Sequence, residues 1–111
     1  MHTEPSPYLR LRPPTHPGAT LREDILPATG MTITQVAERL RVSRQQLHRV
    51  LAEESAVSME MALRLGKFFG NGPDLWLGMQ GAFDLWQTRA RLEAQLEQIP
   101  CYREGPAGDE A

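Results

Sequence analysis

The stretch that decides the fold is TQVAERLRVSRQQLHRVL, residues 34–51. Apolar residues recur at helical spacing in its two halves, and only the short connector 41–43 separates them. Two helices joined by so short a connector must cross steeply. Ala37 is small enough to let them approach, and Val42 and Leu47 are placed to fill the angle between them. The stretch therefore predicts a helix-turn-helix, whose second helix (the recognition helix) enters the major groove of DNA.

Start and stop signals around this stretch predict an all-α domain of five helices, the last of them long. A Ser or Thr can cap each of the first four helices, and in the first three a Glu or Gln follows three residues later, as in a capping box. Pro suits the first turn of the fifth helix. The predicted start positions are Thr20, Thr32, Ser43, Ser58 and Pro73. Gly70 is expected to end the fourth helix, and the fifth is expected to continue towards Gln98.

The two ends of the chain differ in composition from this helical centre. Residues 1–17 include five prolines, which remove amide donors and restrict the residues before them, so we expect a flexible arm there. We assign residues 18–99 to a helix-turn-helix domain that binds DNA and dimerises. Residues 100–111 are expected to form a flexible tail.

The composition indicates one small soluble domain without a cofactor. The 111-residue chain has 41% hydrophobic and 23% charged residues, and its single cysteine, Cys101, allows no internal disulfide. We expect a cytoplasmic protein, because no apolar run is long enough for a membrane span and the start lacks the apolar core of a secretory signal. The histidines, at positions 2, 16 and 48, are scattered, so we expect no metal site.

Charge is distributed unevenly along the chain. The formal net charge is -2, but residues 39–49 contain four arginines and no acid. A mildly acidic protein can still meet phosphate with one positive surface. The alternative is an ordinary solvated helix surface, which the adjoining turn pattern makes the weaker interpretation.

The recognition helix has the residue types that read bases. Ser43 can cap the helix and donate to a phosphate, Arg44 can grip guanine O6 and N7, and Gln45 can pair with adenine N6 and N7. His48 and Arg49 follow one turn later near the same face, although a plain surface position suits His48 equally well. With the residues placed to touch the DNA backbone, the full predicted set is Gln35, Arg41, Ser43, Arg44, Gln45, Gln46, His48 and Arg49.

Three further stretches give the chain a family resemblance: HPG at 16–18, SMEMALRLGKFFG at 58–70 and PDLWLGMQGAFDLW at 73–86. With them, residues 16–89 resemble the HigA family of antitoxins, within the phage-repressor-like (XRE) helix-turn-helix class. The resemblance implies an all-helical homodimer that binds its own operator and represses its own operon. It also implies a HigB-like toxin as partner, a ribosome-dependent mRNA endonuclease, and it assigns the nuclease chemistry to that partner. The family positions for the main DNA contacts correspond to Ser43, Arg44, Gln45 and Arg49.

Two departures from the family pattern lie beside the recognition helix. Family members usually have Gly where this chain has Arg41. If that residue takes a positive φ, its side chain costs roughly 1 kcal/mol. After the recognition helix the chain has Glu53 and Glu54, where the family commonly has Asn-Gly and basic residues. The two carboxylates would repel phosphate if they faced the duplex, which leaves the strength of operator binding open.

The fifth helix is the expected dimer interface, because its apolar surface exceeds what a four-helix core needs. Two recognition helices about 34 Å apart would read a palindrome in the major groove. The predicted interface residues are Trp76, Met79, Phe83 and Trp86, and for the three aromatic residues a position in the core is the alternative. Gly78 and Gly81 fit either the close packing of another helix or a tolerated local weakness of roughly 1 kcal/mol each.

Three other functions stay open at this point. A stand-alone regulator of the same class would bind DNA without a toxin partner. A helical interaction module could have lost DNA binding through the loop with Glu53 and Glu54. An enzyme has the least support, since Asp84 and Glu23 are isolated carboxylates with no nucleophile or second acid at useful spacing.

Overall fold

The computed structural model describes residues 12–103, and all regular secondary structure within this range is helical. The first helix, α1, comprises three consecutive segments: α-helical Pro17–Thr20, the π-helical turn Leu21–Ile25 and α-helical Leu26–Thr29. The other helices are α2 (Ile33–Leu40), α3 (Arg44–Leu51), α4 (Met59–Phe69) and α5 (Pro73–Glu97). The predicted five-helix, all-α domain with a long last helix is confirmed for this part of the chain.

The predicted arm and tail fall mostly outside the described residues. Positions 1–11 and 104–111 lie beyond them. Within the described range, residues 100–103 have no regular structure.

Three helices begin at the side-chain caps that the sequence predicts. The hydroxyl oxygens of Thr32, Ser43 and Ser58 each accept a hydrogen bond from the backbone N–H three residues later. Thr32 and Gln35 complete a reciprocal capping box, which satisfies two amide groups that a helix start leaves without partners. At its other end, α4 stops at Gly70, which takes the left-handed conformation (φ 77°).

The start of α1 differs from the prediction. The helix begins at Pro17 and not after Thr20, which has helical backbone angles and makes no capping hydrogen bond. Instead, the Nδ1 atom of His16 accepts a hydrogen bond from the Gly18 N–H at 2.8 Å. The earlier start is favoured because Pro17 has its φ already near the helical value, while the His16 imidazole supplies the acceptor. His16 and Pro17 are buried, so the packed domain includes these two residues, which the sequence analysis assigned to the arm.

The core lies where the five helices meet, and each helix contributes a side chain with no exposed area. These residues are Leu21, Val36, Leu47, Leu65 and Trp76, in chain order from α1 to α5. Burying each of them stabilises the fold by roughly 1.5–3 kcal/mol. The Trp76 indole N–H donates to the Asn71 side-chain oxygen at 3.1 Å, so its one polar atom is satisfied. Of the two roles that the sequence allows for Trp76, core or dimer interface, the structure shows the core of its own chain, and its side chain offers no exposed area to a second subunit.

The long helix α5 packs on the core with its first half only. Its 25 residues span about 37 Å at the α-helical rise. Trp76 and Gln80 are buried near its start, whereas every residue from 93 to 103 is exposed. The end of α5, from residue 93 onward, therefore stands clear of the rest of the described chain. No helix within residues 12–103 combines the length and apolarity that crossing a bilayer requires.

Candidate nucleic-acid interface

The recognition helix α3 is anchored by its inner face and leaves its polar face free. Leu47, Val50 and Leu51 are buried at 0%, 3% and 4% exposure, so the helix cannot roll without exposing core side chains. The outer positions are all exposed: Arg44, Gln45, Gln46, His48 and Arg49. Five adjacent hydrogen-bonding side chains on a firmly seated helix form a surface of the kind that reads base edges.

The turn before α3 contains a residue in the left-handed conformation, at the position where family members usually have Gly. Arg41 has φ 63° and ψ 41°, a conformation that disfavours a residue with a Cβ atom. The Arg41 N–H donates to the Glu38 carbonyl at 3.1 Å, and the Val42 N–H donates to the Ala37 carbonyl at 3.0 Å. These two bonds close the end of α2 in a Schellman arrangement and set the angle between α2 and α3. The Arg41 side chain is exposed beside the start of the recognition helix.

Two polar side chains next to the turn each accept a capping hydrogen bond and still have a hydrogen-bond donor available. Ser43 Oγ accepts from the Gln46 N–H at 2.9 Å, so its hydroxyl hydrogen is still available to another acceptor. Gln35 Oε1 accepts from the Thr32 N–H at 2.9 Å, which likewise leaves its amide hydrogens available. Both residues are exposed, and hydroxyl and amide donors of this kind bind phosphate oxygens.

A polar groove runs along one side of α3. Its volume is about 390 Å³, and it is lined by Ser43, Gln46, Arg49, Val50, Ser55, Ala56, Ser58 and Met61. Three of these residues also belong to the predicted DNA-contacting set: Ser43, Gln46 and Arg49. Ser55 and Ser58 are not among the predicted DNA-contacting residues, although Ser58 was predicted to cap the fourth helix and two serines soon after the recognition helix were a usable signal.

The loop that forms this groove is bonded to α5 through Gln80, which is not among the residues predicted from the sequence. The buried Gln80 side chain accepts from the Val57 N–H at 2.8 Å and donates to Asp84 Oδ1 at 3.0 Å. The loop between α3 and α4 is therefore held by the long helix and not only by its own turns. A lone Gln on the apolar face of a predicted helix was the available signal.

The acidic loop after α3 does not form a wall of the groove. Neither Glu53 nor Glu54 is among its lining residues. The Glu53 carboxylate lies 3.2 Å from Arg22 Nη1 on helix α1, so its charge is partly neutralised by an arginine of the same chain. Repulsion between Glu53 and a phosphate in the groove is accordingly weaker than the sequence alone suggests.

Arg22 also covers the C-terminal end of the recognition helix. Its Nη1 atom donates to the Leu51 carbonyl at 2.6 Å, and its Nη2 atom lies 2.9 Å from Glu23 Oε2. The hydrogen bonds to Glu23 and then to Glu53 raise the pKa of the Arg22 guanidinium above its ordinary value. A permanently charged donor therefore sits at the negative end of the α3 dipole, where a cation is favoured.

The HPG stretch holds α1 against both α3 and α5. A Cβ atom at Gly18 would overlap the Val50 carbonyl of α3, so the two backbones are in direct contact. The His16 ring packs edge-on against Phe83 of α5 with 4.9 Å between ring centroids. Phe83 thus has an intrachain role in seating α1, in addition to any part in an interface.

The comparisons with known proteins agree with this geometry. A helix-turn-helix family model matches residues 21–76, which cover α2, α3 and α4 entirely. The chain is 31% identical over 86 residues to antitoxin HigA-1 of Vibrio cholerae, covering 78% of this chain and 81% of that protein. The chain belongs to the HigA family. A second relative is the Escherichia coli HTH-type transcriptional regulator YbaQ, which is 35% identical over 86 residues, covering 78% of this chain and 76% of that protein.

Two solved structures of antitoxins with DNA are similar to this chain. Pseudomonas aeruginosa antitoxin HigA with the higBA promoter matches with a TM-score of 0.74 and 28% identity, over 78% of this chain and 96% of that one. Antitoxin GraA in complex with its operator matches with a TM-score of 0.77 and 29% identity, over 93% of this chain and 100% of that one. The HigA-family fold of this chain is therefore one that relatives use on DNA.

The structure brings the predicted DNA-contacting residues together but separates the predicted interface residues. The eight predicted DNA-contacting residues are all exposed and lie in or next to α2, the turn and α3. Of the four predicted interface residues, Trp76 is in the core, whereas Met79, Phe83 and Trp86 are half-buried. The large exposed apolar residues of α5 are others: Leu75, Leu85 and Leu96.

Proposed function

We propose that this protein is the antitoxin of a type II toxin-antitoxin module and represses its own operon. The observation that carries the proposal is the exposed polar face of α3, seated on three buried side chains and next to a serine-lined groove. A gel shift on the DNA upstream of its own gene tests it. We expect a shift that weakens steeply with salt, because bound phosphates release counterions. A shift no stronger than on random DNA would contradict the proposal.

On the operator, the start of α3 reads bases and its surroundings hold the backbone. Arg44 forms a bidentate pair with guanine and Gln45 with adenine, while His48 and Arg49 reach bases or phosphates one turn further on. Gln35, Arg41, Ser43 and Gln46 position the helix through phosphate contacts. This division of roles predicts that Arg44 and Gln45 set the sequence preference.

The groove beside α3 is the place where a phosphate of the flanking strand fits. Hydroxyl groups of Ser55 and Ser58 can donate to it, and Arg49, which also lines the groove, supplies a positive charge. Substituting Ser55 by Ala should weaken binding to all DNA sequences alike, since phosphate contacts contain no sequence information. A change in base preference would contradict this role.

The operator-binding form is proposed to be a homodimer joined through the outward face of α5. Leu75 and Leu85 on this face are 49% and 45% exposed. Between them lies an open apolar groove of about 420 Å³ whose lining includes Gly78, Met79 and Ala82. A Cβ atom built at Gly78 would meet no other atom within 4 Å, so a helix of a second chain has room to approach there.

A second copy of the same chain is the occupant that suits this face. The α5 residues that line this groove are apolar or small except Asp74 in the first turn, so an identical surface can meet it across a twofold axis with few charges to bury. A twofold dimer also matches a palindromic operator, because it places one recognition helix on each half-site. Of the interface residues predicted from the sequence, Met79 lies at the centre of the proposed interface, and Phe83 and Trp86 lie at its edge.

The toxin partner is proposed from the family and is of the HigB type. The nuclease activity belongs to that partner, and we propose no catalytic role for this chain. Co-purification with the product of the adjacent reading frame tests the pairing. A stable complex that suppresses the cleavage of mRNA by that product is the expected result.

A stand-alone regulator is the second candidate function, and the relative YbaQ, described as a transcriptional regulator, favours it. Both functions share the DNA contacts and differ only in the toxin. If the protein shifts its promoter but binds no product of a neighbouring gene, the second candidate replaces the first.

A further inference from the structure

Each helix of the helix-turn-helix is followed by a residue in a strained backbone conformation. At each of these helix ends, an arginine from a neighbouring helix forms hydrogen bonds to backbone carbonyl groups. Among residues 12–103, Arg41 and Glu53 are the only non-glycine residues with positive φ, at 63° and 64°. Arg41 follows the last residue of α2, and Glu53 comes two residues after the last residue of α3. Strained backbone of this kind persists only where the surroundings enforce it, and it is concentrated at functional positions.

The end of α2 is covered by Arg64 of α4. Its Nη1 atom donates to the Leu40 carbonyl at 2.9 Å and to the Arg41 carbonyl at 3.3 Å. Glu60, one turn earlier on α4, holds the other side of the guanidinium, at 2.8 Å from Nη2 and 3.2 Å from Nε. The carbonyl groups that no longer have partners within α2 are thus bonded to a side chain that is itself fixed.

The end of α3 is covered in the same way by Arg22 of α1. This guanidinium donates to the Leu51 carbonyl at 2.6 Å and lies between the carboxylates of Glu53 and Glu23, at 3.2 Å and 2.9 Å. The backbone of the loop closes with the Glu53 N–H on the Val50 carbonyl at 3.0 Å and the Glu54 N–H on the Arg49 carbonyl at 2.9 Å. Arg22 is thereby connected to both the end of the recognition helix and the strained residue after it.

We propose that Arg22 and Arg64 are positioning residues for DNA reading, which fix the direction of the recognition helix by holding the two strained helix ends. They act through α2 and α3 and need no contact with DNA. Direct readout depends on bidentate pairs with narrow geometric tolerance, so a small rotation of α3 lowers operator affinity. Phosphate contacts tolerate the same rotation, because long basic side chains adjust to it. This inference rests on the proposed operator binding.

The decisive variant is the double substitution Arg22→Gln with Glu53→Gly. Glycine adopts positive φ without strain, so it offsets the stability lost with Arg22, and the pair leaves the net charge unchanged. We expect a melting temperature close to that of the wild type and unchanged affinity for random DNA. The ratio of operator affinity to random-DNA affinity should fall roughly five- to a hundredfold, the size of one lost bidentate base contact.

A folded double variant with the wild-type ratio would overturn the inference, since Arg22 would then act on stability alone. If that variant does not fold, Arg64→Gln gives the same test, with Lys67→Gln as a control that removes one charge from an exposed position of the same helix. A reduced ratio for Arg64→Gln alone supports the inference, and equal ratios for the two variants contradict it. Failure of the wild type itself to prefer its operator would contradict operator binding instead, so the two failures are distinguishable.

Discussion

The backbone of Gly18 lies directly against the carbonyl group of Val50, with no room for a Cβ atom between them. This contact joins the first helix to the recognition helix only two residues after His16, where the packed domain begins. Together with the His16 cap and the Arg22 hydrogen bond to Leu51, it makes α1 the support on which α3 rests.

Gly18→Ala should destabilise the fold by about 1–3 kcal/mol, because the added methyl group must displace the backbone of one helix. The measurement is urea-induced unfolding followed by circular dichroism. Gly81→Ala is the matched control, since a Cβ atom there meets nothing within 4 Å and alanine is the better helix former by about 0.5–1 kcal/mol. Equal effects at both positions would show that Gly18 is not at a close contact.

Arg41→Gly should stabilise the protein by roughly 1 kcal/mol, because glycine takes the left-handed conformation without the clash that a Cβ atom causes. Arg39→Gly, within helix α2, should instead destabilise by about 0.8–1 kcal/mol. Both variants lose one arginine, so their difference in the free energy of unfolding isolates the backbone effect. A loss of stability in Arg41→Gly would mean that the arginine side chain contributes more than its strain costs.

Arg44→Ala should weaken operator binding by about 1–3 kcal/mol and relax the preference at one base pair. The measurement is a set of binding titrations on operators that differ at single positions. An equal loss on random DNA would assign Arg44 to a phosphate contact. Lys67→Ala serves as the control for the removal of one positive charge.

Leu85→Glu should convert the proposed dimer into a monomer, because it places a carboxylate without a partner within an apolar interface. Sedimentation or light scattering gives the mass, and circular dichroism verifies that the helices persist. Leu63→Glu on α4 is the control, since Leu63 is 60% exposed and lies on another helix. If Leu85→Glu keeps the mass of the wild type, the interface lies elsewhere or the protein is not a dimer.

Much of this architecture could be predicted from local sequence. The capping residues Thr32, Ser43 and Ser58 and the terminator Gly70 act on amide and carbonyl groups within one turn of themselves, so their effect can be recognised without knowledge of the fold. The exposed face of α3 likewise follows from helical periodicity, because Leu47 and Val50 must turn inward and their neighbours outward.

The remaining features depend on contacts between residues that are distant in the chain. From the sequence alone, a surface position and a core position suit Trp76 equally well. The packing of the other helices around it decides between them. From the sequence alone, the acidic loop is expected to repel phosphate. In the structure, Arg22, which lies 31 residues earlier in the chain, binds Glu53. The start of α1 was predicted wrongly because a histidine is an uncommon cap; in the structure its ring packs against Phe83, and its Nδ1 atom accepts from the Gly18 N–H.

The sequence by itself determined which segments are helical, where most of them begin and which side chains of α3 face outward, since these properties arise within a few residues of each position. The tertiary structure alone decided how α3 is held, which glutamate is neutralised and which face of α5 stays open. Those outcomes come from pairs such as Arg22 with Leu51 and Gly18 with Val50, whose approach is set by the packing of the whole core and by no local pattern.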